Sequence, residues 1–373
     1  MRLVRLLVCT AAFPLVLGVG VPPPEAFGAV WMTRNEIHAL PMSGVAWNAL
    51  KTKADSPAST PDLGNQLDDC DVIVLAKALV HVRTGVETYR TQVRQSCMAA
   101  IDTELGGESL ALARNLTGYV IAAELVGLEP AEDQAFRAWL RRALGEVLVD
   151  GRSLRSTHED RPNNYGTHAG ASRAAVAVYL GDITELARTA TVFRGWLGDR
   201  SAYSGFNYGD LSWQCHPSQP IGINSPGCVV SGVPLDGALP EEMRRGGSLQ
   251  WPPAKGDAVN YTWEAIQGAV VQAEILSRQG YDVWNWQSQA LRRMAYFLYD
   301  LDLRFGGWWA SGDDAWSPWI INKAYGLKFP TETPTRPGKN MGFTDWTHYS
   351  SAGVTPSDVS PPTAVRDMST TNP

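Results

Sequence analysis

Apolar residues recur at helical spacing through most of the chain. Residues 70–84 form such a run, stopped by Gly85, and 88–103 follow as its partner. Residues 109–125 make another apolar helix, ended by Gly127. In 131–148 the side chains of Phe136, Trp139, Leu140, Leu144 and Val147 share one face, so this helix is amphipathic. Residues 169–179 and 183–197 pair across a Gly181-Asp182 turn, and 262–279 pairs with 284–298. Strand-like alternation is scarce. Repeated helix pairs with short connections predict an all-α fold, an (α/α) toroid or incomplete (α/α) barrel. Between the pairs lies an irregular insertion, 203–260, dense in Gly, Pro, Trp and Cys. A segment this long is functional or disordered, and its aromatics and two cysteines point to order.

The two ends read differently. Arg2 and Arg5 precede an apolar run to Val21, and Ala26-Phe27-Gly28 supplies small residues for cleavage, so 1–28 reads as a secretory signal. The expected product is exported, extracellular or periplasmic, with no membrane segment after signal removal. The Pro-, Ser- and Thr-rich stretch 350–373 reads as a disordered tail, leaving one domain over 29–349. Export makes disulfides expected, and sequence order favours Cys70–Cys97 and Cys215–Cys228. No pair has the Cys-x-x-Cys spacing of a zinc site. The formal charge of −6 argues against nucleic acid as a partner. An acidic substrate stays compatible with it if the cleft is locally basic.

Candidate chemistry concentrates in two segments. In 161–173, Arg-Pro-Asn-Asn-Tyr-Gly-Thr-His-Ala-Gly-Ala-Ser-Arg, a turn brings Asn163, Asn164, Tyr165, Thr167 and His168 to a helix start. Amides can donate to a carboxylate without adding charge, and a neutral His can accept a proton. Helix capping accounts for Asn163 or Thr167 alone, not for the whole cluster. The second segment joins 236–246, with adjacent Arg244 and Arg245, to Tyr261 near the start of the next helix. Arginine clamps a carboxylate with two parallel hydrogen bonds, and a helix N-terminus favours an anion. Trp213, Trp251 and Trp309 are candidate platforms for sugar rings, and Lys339 and His348 candidate contacts for substrate carboxylates. Core packing is the competing reading for the tryptophans.

The Asn-Asn-aromatic turn opening a helix, then Asp-Gly-x-Leu-Pro-Glu-Glu-x-x-Arg-Gly, then a helix-opening Tyr resembles the alginate lyase superfamily of polysaccharide lyases. The likeness spreads over about residues 60–350. It implies an (α/α) toroid and β-elimination on a uronic-acid polymer, alginate (polymannuronate) or glucuronan-like. It places the carboxylate-neutralising groups at Asn164 and Arg245 and the catalytic phenol at Tyr261. The family's His after Asn-Asn is Tyr165 here, and His168, about one turn on, is the candidate base. The remaining substrate contacts would be Asn163, Tyr165, Arg244 and the tryptophans, Lys339 and His348 named above. Such a scheme requires no metal or cofactor, takes an acidic polysaccharide as its only partner, and suits a monomer. Two rivals differ in class. A glycoside hydrolase would draw two carboxylates from Asp210, Glu264, Asp313 and Asp314. A non-catalytic protein would bind acidic glycan without cleaving it.

Overall fold

The computed structural model describes residues 27–57 and 60–350. The expected leader and tail, apart from Phe27, Gly28 and Ser350, lie outside the described residues. The fold is all-α. The helices are α1 (Arg34–Ala39), α2 (Val45–Asp55), α3 (Cys70–Thr84), α4 (Glu87–Ala100), α5 (Ser109–Val126), α6 (Pro130–Ala143) and α7 (Leu154–Asp160). There follow α8 (Asn164–Leu180), α9 (Ile183–Trp196), α10 (Pro240–Met243), α11 (Asp257–Arg278), α12 (Trp286–Phe305), α13 (Ser317–Tyr325) and α14 (Thr344–Thr347). Val229–Val230 and Val233–Pro234 form the one small antiparallel hairpin among the described residues.

Helices α3, α5, α8, α11 and α13 form an inner row in which each packs on the next. α3, α5 and α8 are buried on nearly all sides: every residue of α5 except Glu124 is buried. A helix apolar all round belongs inside, and one with a single apolar stripe belongs outside. The amphipathic α4, α6, α9 and α12 accordingly face solvent on their other sides, as in an (α/α) toroid. The circuit continues from α13 through α14 and α2 back to α3. There Trp346 packs on Trp47 with ring centroids 5.5 Å apart and donates to the Pro41 carbonyl at 2.8 Å. Gly85 and Gly181 end α3 and α8 at φ 74° and 67°, in the left-handed region that glycine enters without steric cost.

Three expectations need correction. Helix α8 starts at Asn164 rather than Ala169, so the polar cluster lies inside its first turns, and Asn163 occupies the N-cap position without a side-chain cap bond. Helix α11 starts at Asp257, which puts Tyr261 in the second turn, past the reach of the helix terminus. Cys215 and Cys228 are joined, but Cys70 and Cys97 do not pair with each other. The Cys70 thiol is directed at the Thr60 carbonyl, 3.3 Å away, and the Cys97 thiol at the Tyr119 carbonyl, 3.9 Å away. No helix among the described residues is long and apolar enough to cross a membrane.

Candidate active site

Helices α8 and α11 carry the site, and glycines set how closely they cross. A Cβ at Gly268 would overlap the Thr167–His168 backbone, so α11 lies directly on the first turns of α8. Gly170, one turn on, leaves room for the Gln272 and His158 side chains. This crossing lays the N-terminal half of α8, which starts at Asn164, along α11, which carries Tyr261 in its second turn.

Asn164 is 1 % exposed, and neither Nδ2 nor Oδ1 of its carboxamide has a hydrogen-bond partner. Burying an amide without partners costs a few kcal/mol, roughly 1–3 by mutational measure, so such a group calls for a reason, and completion by a ligand is one. Its main-chain N–H donates to Glu242 Oε1 at 2.6 Å. Glu242 lies in α10, where Pro240 opens a single turn and aims Glu241 and Glu242 into the protein. Burial pushes the Glu242 carboxyl up to about 8, against the pull of Arg245 and the Asn164 N–H. Its Oε2 faces Arg245 Nε at 3.8 Å. The Arg245 guanidinium lies over the Tyr261 ring, 4.3 Å from the centroid.

The acidic and basic doublets of 241–245 divide at i,i+3 spacing. Glu242 faces inward to Asn164 and Arg245. Glu241 pairs with Arg244 and accepts the Gly209 N–H at 3.0 Å, which pins the insertion to α10. Arg244 packs so close to Gly209 that a Cβ there would overlap its guanidinium. Glu242 is the site residue missed by sequence reasoning. The doublet spacing was the available signal, since an inward acid needs a cation one turn away.

Asn164, Arg245 and Tyr261 are thus linked by one line of contacts through Glu242, and His168 stands outside that line. His168 is fully buried, with Nδ1 against Asn340 Oδ1 and Nε2 3.1 Å from Glu264 Oε2. Burial lowers its affinity for a proton, although Glu264 pulls the other way. Arg114 reaches the same Glu264 oxygen at 2.5 Å. Asn340 is fixed by bonds from its Nδ2 to the Ala113 carbonyl, 2.6 Å, and Thr117 Oγ1, 2.9 Å. Both ring nitrogens face these scaffold groups, which takes His168 from the role of open base to that of a tie between α8, α11 and the 340 segment. Glu264, raised by burial, is drawn down to about 2 by His168, Arg114 and Lys339. A carboxylate held ionised in this way is unsuited to the general-acid role a hydrolase would ask of it.

The other expected contacts scatter. Tyr165 is half-buried with the Arg161 guanidinium 4.8 Å over its ring. Asn163 is buried, its Oδ1 without a partner. Trp213 is 1 % exposed and donates to the Gly247 carbonyl at 2.9 Å, so it packs the insertion and presents no face to a sugar. Trp251 packs on Phe305, and Trp309 on Trp263, Tyr299 and Phe329. Lys339 is half-buried near Glu264 and Asp314. His348 is buried against Trp31 and lies 3.5 Å from Glu274, a residue 13 positions beyond Tyr261 on α11, about 20 Å along the axis. That distance removes it from the Tyr261 site. No group of three or more His, Cys, Asp or Glu among the described residues is arranged to hold a metal ion.

Comparison with known proteins adds the family. Three solved structures have a similar fold. The crystal structure of alginate lyase A1-III from Sphingomonas species A1 is 14 % identical, with a TM-score of 0.56, over 91 % of this chain and 100 % of that one. A histidine-to-alanine variant of A1-III complexed with tetrasaccharide is 14 % identical, with a TM-score of 0.55, over 90 % and 98 % of the two chains. A tyrosine-to-phenylalanine variant, also complexed with tetrasaccharide, is 12 % identical, with a TM-score of 0.50, over 76 % of each. No curated protein sequence matches. The sequence profile named Alginate lyase matches residues 85–202 and 232–302, the two stretches that contribute Asn164, Arg245 and Tyr261. With half of its length matched by that profile and its helices arranged as a toroid, the chain belongs to the alginate lyase family and is a polysaccharide lyase.

Proposed function

We propose that the protein cleaves a uronic-acid polysaccharide, alginate (polymannuronate) or a glucuronan-like polymer, by β-elimination with Tyr261 as acid-base, and Arg245 and Asn164 as carboxylate neutralisers. The observation that carries this reading is the buried, unpartnered Asn164 carboxamide on the same chain of contacts as Arg245 and Tyr261. The C5 proton of a uronate is weakly acidic, and its removal sends charge onto the carboxylate. Asn164 Nδ2 and the Arg245 guanidinium are the donors for that charge. Tyr261 as phenolate takes the C5 proton, the C5–H electron pair becomes the C4–C5 double bond, and the C4–O4 bond breaks. The phenol then returns its proton to O4. That similar structures are alginate lyases, two of them with bound tetrasaccharide, supports an acidic polysaccharide as substrate. The 1–28 leader supports export, and 29–349 is the catalytic unit, acting as a monomer. Tyr165, Asn163, Arg244, Trp251, Trp309 and Lys339 are the candidates for flanking sugar contacts.

The test is absorbance. Incubation with a panel of uronate polymers should raise ultraviolet absorbance as unsaturated uronate forms, and Tyr261→Phe should lower that rate by about 10²–10⁴-fold while circular dichroism stays unchanged. Full activity in Tyr261→Phe, or no absorbance gain on any polymer with the unaltered protein, would overturn the reading.

A further inference from the structure

Glu242 takes no part in the elimination scheme, yet it touches the supports of every group that does. Its carboxyl is 1 % exposed. One oxygen holds the Asn164 N–H at 2.6 Å, and the other lies 3.8 Å from Arg245 Nε with no hydrogen-bond partner. Arg245 in turn covers Tyr261. Tyr261, Arg245, Glu242 and Asn164 therefore make one line of contacts across α11, the turn after α10 and the start of α8. An arginine fully matched by a carboxylate keeps little charge for a second one. At 3.8 Å, with one oxygen unfilled, Glu242 orients Arg245 without using up its donors.

We propose that Glu242 is a positioning residue for the elimination: it fixes Asn164, sets Arg245 above Tyr261, and through its own protonation decides how much of the Arg245 charge faces the substrate carboxylate. This rests on the reading that Arg245 and Asn164 bind that carboxylate. A neutral Glu242 still accepts the Asn164 N–H through its carbonyl oxygen, so the start of α8 stays in place, and Arg245 remains a free cation. An ionised Glu242 pairs with Arg245 and competes with substrate. The groups facing it are the Asn164 N–H from α8, Arg245 and Arg244 from the turn that follows, and Glu241 beside it in α10. Tyr261 of α11 is reached only through Arg245. Burial pushes the carboxyl up to about 8, Arg245 and Asn164 draw it down, Glu241 adds to the rise, and Arg244 opposes it. The neutral form accordingly prevails below about pH 8 and the anion above it.

The experiment uses the full chain in the turnover-blocked Tyr261→Phe background, which also removes the phenol from the titration. The Kd for a uronate tetrasaccharide is measured by calorimetry on both sides of pH 8, with and without Glu242→Gln. The expected result is a loss of affinity of about tenfold above pH 8 with Glu242 present, and a flat profile with Gln, which keeps the Asn164 acceptor but cannot ionise. Glu242→Ala should bind weakly at every pH, because it loses the acceptor as well, and Gln should restore what Ala removes. Should Glu242→Ala fail to fold, the Gln comparison decides alone. Equal pH dependence for Glu and Gln would overturn the role of Glu242 and leave the lyase reading standing. Absence of any uronate binding, with no unsaturated product from the unaltered protein, would sink the lyase reading and this inference with it.

Discussion

The Asn164 main chain and the Glu242 side chain meet at 2.6 Å across 78 residues of sequence. This bond joins the end of the long insertion to the inner row of the toroid. α10 and the turn after it, with Arg244 and Arg245, also pack on α11, so the bond gives that turn a second anchor. With it, Arg245 is held over a ring that belongs to a third element.

Arginine is needed at that place for its shape as well as its charge. The guanidinium is planar, stacks on an aromatic face and can still present two parallel N–H groups to a carboxylate, whereas a lysine ammonium is a point charge. Arg245→Lys is therefore expected to lower kcat/KM about 10–10²-fold, and Arg245→Ala about 10²–10³-fold. Thermal unfolding of the Lys variant should stay close to that of the unaltered protein, because it keeps a cation beside Glu242. Steady-state rates on a cleaved uronate polymer measure this. Full kcat/KM in the Lys variant would show that the stacked guanidinium is not used.

The α8–α11 crossing permits no side chain at position 268, because a Cβ would run into the Thr167–His168 backbone. Gly268→Ala must push the two helices apart. Overpacking of this kind costs about 1–3 kcal/mol, a fall of several degrees in melting temperature. Asn164 and Tyr261 ride on the separated helices, so activity should fall by more than the unfolded fraction explains. Calorimetry and initial rates on the same preparation measure both effects. An unchanged melting temperature would mean that the helices do not meet as closely as described.

Much of this was legible in sequence where apolar periodicity ran up to a glycine. Helix α3 ends at Thr84 as read, because Gly85 takes the left-handed conformation that closes it. The starts of α8 and α11 were not legible. Their first turns, Asn164-Tyr-Gly-Thr-His and Asp257-Ala-Val-Asn-Tyr, are polar and carry no stripe, and only packing against neighbouring elements makes them helical. His168 shows the same limit: spacing puts it one turn from Asn164, but spacing does not reveal that Asn340 and Glu264 close over it. The motif residues Asn164, Arg245 and Tyr261 could be named in advance, because resemblance fixes positions. Glu242 stands in the same motif, but its role was not read from it, because a buried acid and a surface acid look alike until the fold says which way α10 points. Cys70 and Cys97 sit on adjacent helices, as a disulfide would require, but their thiols are directed at different carbonyls.

The ties beneath the site make a prediction about acid. Glu264 has an ordinary value of 4.5 and stands at about 2 in the folded protein: burial opposes ionisation, but His168, Arg114 and Lys339 outweigh it. Glu274, ten residues on along α11, is likewise held at about 2 against burial, by His348 and Arg278. A carboxylate whose folded value is depressed contributes stability above its unfolded value and loses it as pH falls through the folded one. Both contributions should therefore be complete above about pH 4.5 and disappear toward about pH 2, each at up to about 1.4 kcal/mol per pH unit. Glu264→Gln should be less stable at neutral pH by about 3 kcal/mol, since Arg114 is left with an unmatched buried charge. The same variant should lose stability less steeply on acidification, because one strongly depressed carboxylate is gone. Urea unfolding at a series of pH values between these limits gives both slopes, and parallel slopes for the variant and the unaltered protein would show that Glu264 is not held ionised by its partners.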